Sequence, residues 1–114
     1  MIDCIFCQIV AKKIPAKIIS ENSEVVAFRD ISPQAPFHAL IIPKKHIATL
    51  NDLSDADTML VGQVYLEARR IVEREGIAQK GYRTVMNCNS DAGQTVYHIH
   101  LHVLGGRKLG WPPG

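Results

Sequence analysis

Apolar and polar positions follow recognisable periods along most of this chain. Phe6, Ile9 and Val10 recur at helical spacing after Asp3, which predicts a short N-terminal helix over Cys4, Ile5, Phe6, Ile9 and Val10, capped by Asp3 and ended by Pro15. Residues 17–20 and 25–29 read as two strands joined by the turn 21–24, a hairpin. Pro33 and Pro36 mark 30–36 as a loop, and the apolar run 38–43 reads as a buried strand. Ser54 and Asp57 form a capping box for a long helix over about 55–75. Leu60, Val64, Ala68, Ile71 and Val72 are its apolar stripe, Glu67 to Glu75 its solvated face, and Gly76 its stop. Residues 82–87 read as a fourth strand, and 89–94 as a turn-rich loop. Then comes strict alternation, His98-Ile99-His100-Leu101-His102-Val103. Successive strand side chains point to opposite faces, so Ile99, Leu101 and Val103 face a core and the three histidines share the other side.

The order helix, three strands, long helix, two strands, with short connections, predicts an α+β domain: an antiparallel sheet meander with both helices packed on it. A length of 114 residues suits one domain, 1–114, and 46% hydrophobic residues suit a packed core rather than disorder. Thirteen basic against 11 acidic residues leave +2, too even for a protein held on nucleic acid by phosphate contacts. No run reaches membrane-spanning length, so no membrane partner is expected. The start, Met1-Ile2-Asp3-Cys4, has no signal-like pattern, and the expected location is cytoplasmic. Three cysteines, an odd number, do not make a disulfide framework.

Three neighbouring imidazoles are poor strand formers and repel one another when charged. They admit three readings: polar surface residues, ligands of one zinc ion, or neutral imidazoles that attack phosphorus and move protons near pH 7. Gly93, Gln94 and Thr95 lead into the histidine stretch, and Asn87 ends the preceding strand. Together they offer neutral donors and close backbone approach to an anion, although Gly93-Gln94 also reads as a plain turn. There is no Walker-type or G-x-G-x-x-G loop and no acidic cluster for magnesium. Asp30 could accept from two vicinal hydroxyls or close a local turn. Cys4 and Cys7 form a C-x-x-C, which reads as two buried thiols or, with His46 and one triad histidine, as a tetrahedral zinc site.

Residues 98–104 resemble the signature of the histidine-triad superfamily, His-x-His-x-His with apolar residues between and after. The resemblance extends over nearly the whole chain. Residues 28–36 resemble its ribose-binding segment. Residues 43–46, 93–97 and the terminal Trp111-Pro112-Pro113-Gly114 resemble the nucleotide-binding, purine nucleoside phosphoramidase branch. His102 stands where the nucleotidyltransferase branch carries Gln, so the chain resembles a hydrolase. The resemblance implies a homodimer whose two sheets join, with the C-terminal tail near the partner's active site. It implies cleavage of the P–N bond of a purine nucleoside phosphoramidate through a covalent intermediate on His100, with His102 and His38 orienting or protonating. Asn87, Gly93, Gln94 and Thr95 would hold phosphate and leaving group, and Asp30 the ribose. Ile5, Phe6, Ile9, Ile14, Phe28 and Ile31 would wall the base. No cofactor is required for the chemistry, and a structural zinc on Cys4, Cys7, His46 and His98 is implied. Two rival functions remain: a zinc-dependent phosphohydrolase using the triad as ligands, and a nucleotide-binding regulatory module with little turnover.

Overall fold

A computed structural model describes residues 3–114; Met1 and Ile2, with which the expected single domain begins, lie outside the described residues. Five strands form one antiparallel sheet: β1 (Ile18–Glu21), β2 (Val25–Arg29), β3 (Phe37–Pro43), β4 (Tyr82–Val85) and β5 (Leu101–Gly105), in the order β1-β2-β3-β5-β4. The meander holds through β1, β2 and β3. The chain then crosses through the long helix α2 (Thr58–Arg74), so that β4 becomes an edge and β5 inserts beside β3.

Period-two alternation gives this sheet two buried faces. Val25, Ala27, Ala39, Ile41, Leu101 and Val103 meet Val64, Ala68, Ile71 and Val72 of α2. Val26, Phe28, Leu40 and Ile42 meet Phe6 and Ile9 of the short helix α1 (Ile5–Val10) on the other side. Full burial of each such aliphatic side chain is worth about 1.5–3 kcal/mol, and β2 and β3 supply most of them to both faces. Leu40 pairs with His102 and Ala39 with Val103, so the histidine side of β5 faces α1 and its Leu101–Val103 side faces α2.

Several boundaries differ from the sequence expectation. Cys4, not Asp3, caps α1, its sulfur accepting from the Cys7 N–H at 3.3 Å. The helix stops at Val10, well before Pro15, because Lys12 takes a left-handed conformation (φ 62°) and the N–H groups of Lys12 and Lys13 close onto Ile9 O and Gln8 O. Asp55–Asp57 is a 3-10 turn that precedes α2, with Asp57 accepting from the Ser54 N–H at 3.0 Å. Gly76 (φ 75°) ends α2 as expected, with Ile77 N–H bonded to Val72 O. Glu67 is not on the solvated face: it is buried and bonded to the Ser20 hydroxyl and Arg70. Burial opposes its charge, but those two donors hold its carboxyl below the ordinary value.

β5 begins only at Leu101, although alternation runs back to His98. The register Ile41↔Leu101 would set Ile99 opposite Pro43, which has no N–H to donate. Ile99 N–H bonds to Ile47 O instead, at 2.8 Å, and the His98 ring takes Pro43 O. β4 likewise ends at Val85, opposite His102, rather than at Asn87.

Candidate active site

A cavity of about 450 Å³ opens between α1, the β2–β3 loop and the 87–96 loop, with His100 and His102 on its wall. Its apolar side carries Ile5, Phe6, Ile9, Ile14, Phe28 and Ile31. Ile31 is fully exposed at the rim, an apolar surface available to cover a flat ring. Asp30, Asn87, Gly93 and Thr95 complete its polar side. Leu40 also lines it and was absent from the sequence reading. Alternation from His38 carried the signal, since Leu40 is two positions along β3 on the same face.

Gln94 is the exception among the expected residues. Its side chain is buried in the loop: Nε2 donates to Ala48 O and Val96 O, and Oε1 accepts from the Asn89 N–H. Gly93 N–H and Gln94 N–H are likewise bonded within the loop, to Ser90 O and Asn89 O. Gln94 therefore shapes the loop instead of contributing a side-chain donor to the cavity, while Asn87 and Thr95 remain on the cavity wall.

The three triad histidines diverge in their partners. His100 Nδ1 donates to His98 O at 2.8 Å, which fixes its tautomer and leaves Nε2 as the nitrogen with a lone pair. Phe6 packs edge-on against the His100 ring, centroids 5.1 Å apart. His102 Nδ1 meets His38 Nε2 at 2.9 Å. Gln34 N–H donates to His38 Nδ1 at 3.0 Å, so neutral His38 carries its proton on Nε2 and donates to His102 Nδ1. His102 then carries its own proton on Nε2. Asp30 Oδ2 lies 3.4 Å from His38 Nε2, and Asp30 Oδ1 accepts from the Ser32 N–H.

His98 belongs to a different cluster. Its Nε2–H donates to Pro43 O at 2.7 Å, leaving Nδ1 toward Cys4, Cys7 and His46. The four ligand atoms lie within 4.8 Å of one another. The measured edges are 3.2 Å (His46 Nδ1 to His98 Nδ1), 3.3 Å (Cys7 Sγ to His46 Nδ1), 3.4 Å (Cys4 Sγ to His98 Nδ1) and 3.6 Å (Cys7 Sγ to His98 Nδ1). A tetrahedron with bonds of about 2.3 Å to sulfur and about 2.1 Å to nitrogen has edges of roughly 3.4–3.8 Å, within a few tenths of an ångström of these. The donor set fits zinc.

Burial pushes His38, His98 and His102 below the ordinary histidine value; Asp30 partly offsets this at His38, and His102, also facing His100 and His38, is pushed down to about 4. The unfolded chain takes protons near 6.5 that the fold rejects, so stability is full above that pH and falls as pH drops toward 4. The depressed carboxyls of Asp57 and Glu67 act in a lower window. Melting temperatures of chelator-treated protein should decline steadily between about pH 6.5 and pH 4.5. A flat profile there would show that the histidines titrate normally.

The HIT domain family model matches residues 11–109. The purine nucleoside phosphoramidase of Escherichia coli (strain K12) is 51% identical over 108 residues, 95% of this chain and 91% of that protein. An uncharacterized HIT-like protein of Synechococcus elongatus is 48% identical over 112 residues, 98% of this chain and 97% of that protein. The crystal structure of a HIT family hydrolase from Legionella pneumophila Philadelphia 1 superposes with a TM-score of 0.97 at 54% identity, covering 98% of this chain and 100% of that one. With a match over most of its length and two of the three triad histidines, His100 and His102, on the wall of its cavity, this chain belongs to the HIT domain family.

Proposed function

We propose that this protein hydrolyses the P–N bond of purine nucleoside phosphoramidates. The observation that carries the reading is His100: Nδ1–H is tied to the His98 carbonyl, so the Nε2 lone pair is the group presented at a cavity with an apolar cleft and a carboxylate. The 51% identity to a protein named purine nucleoside phosphoramidase supports it. The purine lies against Ile5, Phe6, Ile9, Ile14, Phe28 and Ile31, and Asp30 accepts from the ribose hydroxyls. Asn87 and Thr95 donate to the phosphate oxygens. His100 Nε2 attacks phosphorus, the P–N bond breaks, and the leaving amine takes the proton from His102 Nε2. Water then attacks the nucleotidyl-histidine, returning a proton to His102 and releasing the monophosphate. His102 rests neutral in the empty cavity, where burial holds its pKa low; it takes up a proton from solvent beside the bound phosphate, gives it to the leaving amine as the imidazolium, and returns to the neutral ring until water hands a proton back.

Zinc on Cys4, Cys7, His46 and His98 would supply a structural crosslink between α1, the segment after β3 and the histidine segment. Burial and the neighbouring Cys4 push the Cys7 thiol up, and a bound cation would reverse this. The cluster takes His98 alone from the triad, while the 2.9 Å contact between His102 and His38 is a hydrogen bond, which speaks against a catalytic metal held by all three histidines. Assay of adenosine and guanosine phosphoramidates beside a dinucleoside polyphosphate tests the function. Tight monophosphate binding without turnover of any of them would favour a regulatory module.

The reading includes a homodimer formed through β4. The β1 edge is blunted by a bulge between Ile18 and Ser20 and by Lys12 and Lys44 on Glu21. β4 is an unbulged edge, and Tyr82 on it and Tyr65 and Leu66 on α2 are exposed. Arg83 of β4 holds Gly110 O at 2.8 Å, which anchors the tail at that edge with Trp111 83% exposed. That anchoring supports a tail that reaches the partner's site across the β4 edge. Deleting residues 110–114 should alter the ranking of leaving amines more than monophosphate affinity. A monomer in sedimentation at micromolar concentration would refute the arrangement.

A further inference from the structure

A second recess, of about 550 Å³, adjoins the active-site cavity at Asp30. Pro15, Ala16, Arg29, Asp30 and Ile31 line both, so the two are continuous at the residue read as the ribose acceptor. Neither His100 nor His102 is on its wall. Pro33 and Pro36 are, and their fixed φ angles mean that this part of the wall needs little ordering. Lys17 and Arg29 give the recess two cations that the phosphoramidase reading does not use. The Arg29 N–H bonds to Lys17 O at 3.0 Å, one step beyond the pair Ile18–Phe28, which makes the two residues cross-strand neighbours. Like charges so placed destabilise a sheet, and an anion between them relieves that cost. Lys17 Nζ has no ion pair or hydrogen bond among the described residues. Arg29 rests over the Phe37 ring, 5.4 Å from its centroid, and meets Glu75 only at 3.7 Å, beyond hydrogen-bonding distance. Two cations against the Asp30 carboxylate leave the lining net positive.

We propose that this recess receives a phosphate ester carried on a ribose hydroxyl, so that the substrate class extends to purine nucleoside 5'-phosphoramidates phosphorylated at the 2' or 3' oxygen. This rests on the reading that Asp30 takes the ribose hydroxyls. The hydroxyl left free still donates to Asp30. The ester oxygen beside it carries its phosphate past the carboxylate, to the Lys17 ammonium and the Arg29 guanidinium. The 5' phosphorus stays at His100, and the bonds made and broken there are unchanged. Contacts remote from the reacting phosphorus are equally strong in the ground state and the transition state, so they lower KM and leave kcat as it is. Both cations are exposed, so solvent screens them and the gain in affinity is modest and dependent on salt.

Titration calorimetry with adenosine 5'-monophosphate, adenosine 3',5'-bisphosphate and adenosine 2',5'-bisphosphate tests this. At about 0.1 M ionic strength at least one bisphosphate should bind about tenfold more tightly than the monophosphate, the scale of two exposed ion pairs. The isomer that gains shows which oxygen faces the recess. At about 1 M salt, where the Debye length is roughly 3 Å, the advantage should shrink to about twofold or less. Lys17→Glu should abolish the advantage while its affinity for the monophosphate stays within about twofold of the wild type. The matching phosphoramidates should differ in KM and share one kcat. Bisphosphates that bind no more tightly than the monophosphate, or an advantage that survives Lys17→Glu, would overturn the proposal while leaving the phosphoramidase reading intact. If none of the three nucleotides binds at millimolar concentration, the functional reading and this extension of it both fall.

Discussion

Replacing His100 with Asn should remove turnover almost entirely, by about 10⁴-fold or more, as expected when the nucleophile of a concerted unit is lost. The side chain keeps polar reach toward the His98 carbonyl but has no lone pair to attack phosphorus. Phe6 still packs at the position, and the neighbouring Ile99 and Leu101 keep their burial on the other face of the sheet, so the variant should fold and bind a nucleoside monophosphate. In the wild type, rapid quench followed by intact mass should reveal a nucleotidyl adduct mapped to His100. An adduct on another residue, or an active His100→Asn protein, would refute the assignment. His102→Ala should lose less, about 10²–10⁴-fold, because it removes a proton donor and not the nucleophile.

The second large effect concerns the metal cluster. Protein purified without chelator should carry one zinc per chain, and Cys4→Ser should carry little. Structural zinc sites contribute several kcal/mol or more to folding, and each kcal/mol moves the melting temperature of a domain this size by several degrees. Cys4→Ser should therefore melt about 10 °C or more below the wild type, with the folded fraction turning over within about tenfold of normal. The residual effect has a path: His98 supplies both a ligand nitrogen and the carbonyl that orients His100. Absence of zinc by elemental analysis would end the metal assignment. Turnover that stops on chelation in a protein that stays folded would transfer the metal from structure to chemistry.

Much of this was legible along the chain, because strand alternation is local. The segregation of His102 from Leu101 and Val103, the stripe of α2 and its Gly76 stop follow from side-chain period and backbone freedom alone. The C-x-x-C placed two thiols on one helical turn for the same reason. What α1 did at its ends was not legible. A left-handed Lys12 carries no compositional signal, and a sulfur cap competes with the stronger-looking Asp3.

The sequence by itself determined which residue types could act; their division of labour was decided by tertiary contacts. Three histidines in a row look equivalent, yet His98 turns to a cluster, His100 to the cavity and His102 to His38. The split arises because Pro43 cannot extend the ladder, so the chain leaves β-pairing before Leu101 and each ring meets a different wall. His38 and His102 are 64 positions apart and meet only through the register of β3 and β5. Gln94 resembles a phosphate ligand in the linear motif, but once the loop is buried its amide must satisfy Ala48 O, Val96 O and the Asn89 N–H. Long-range register and the requirement that buried polar groups be paired depend on the folded chain as a whole, and local pattern does not encode them.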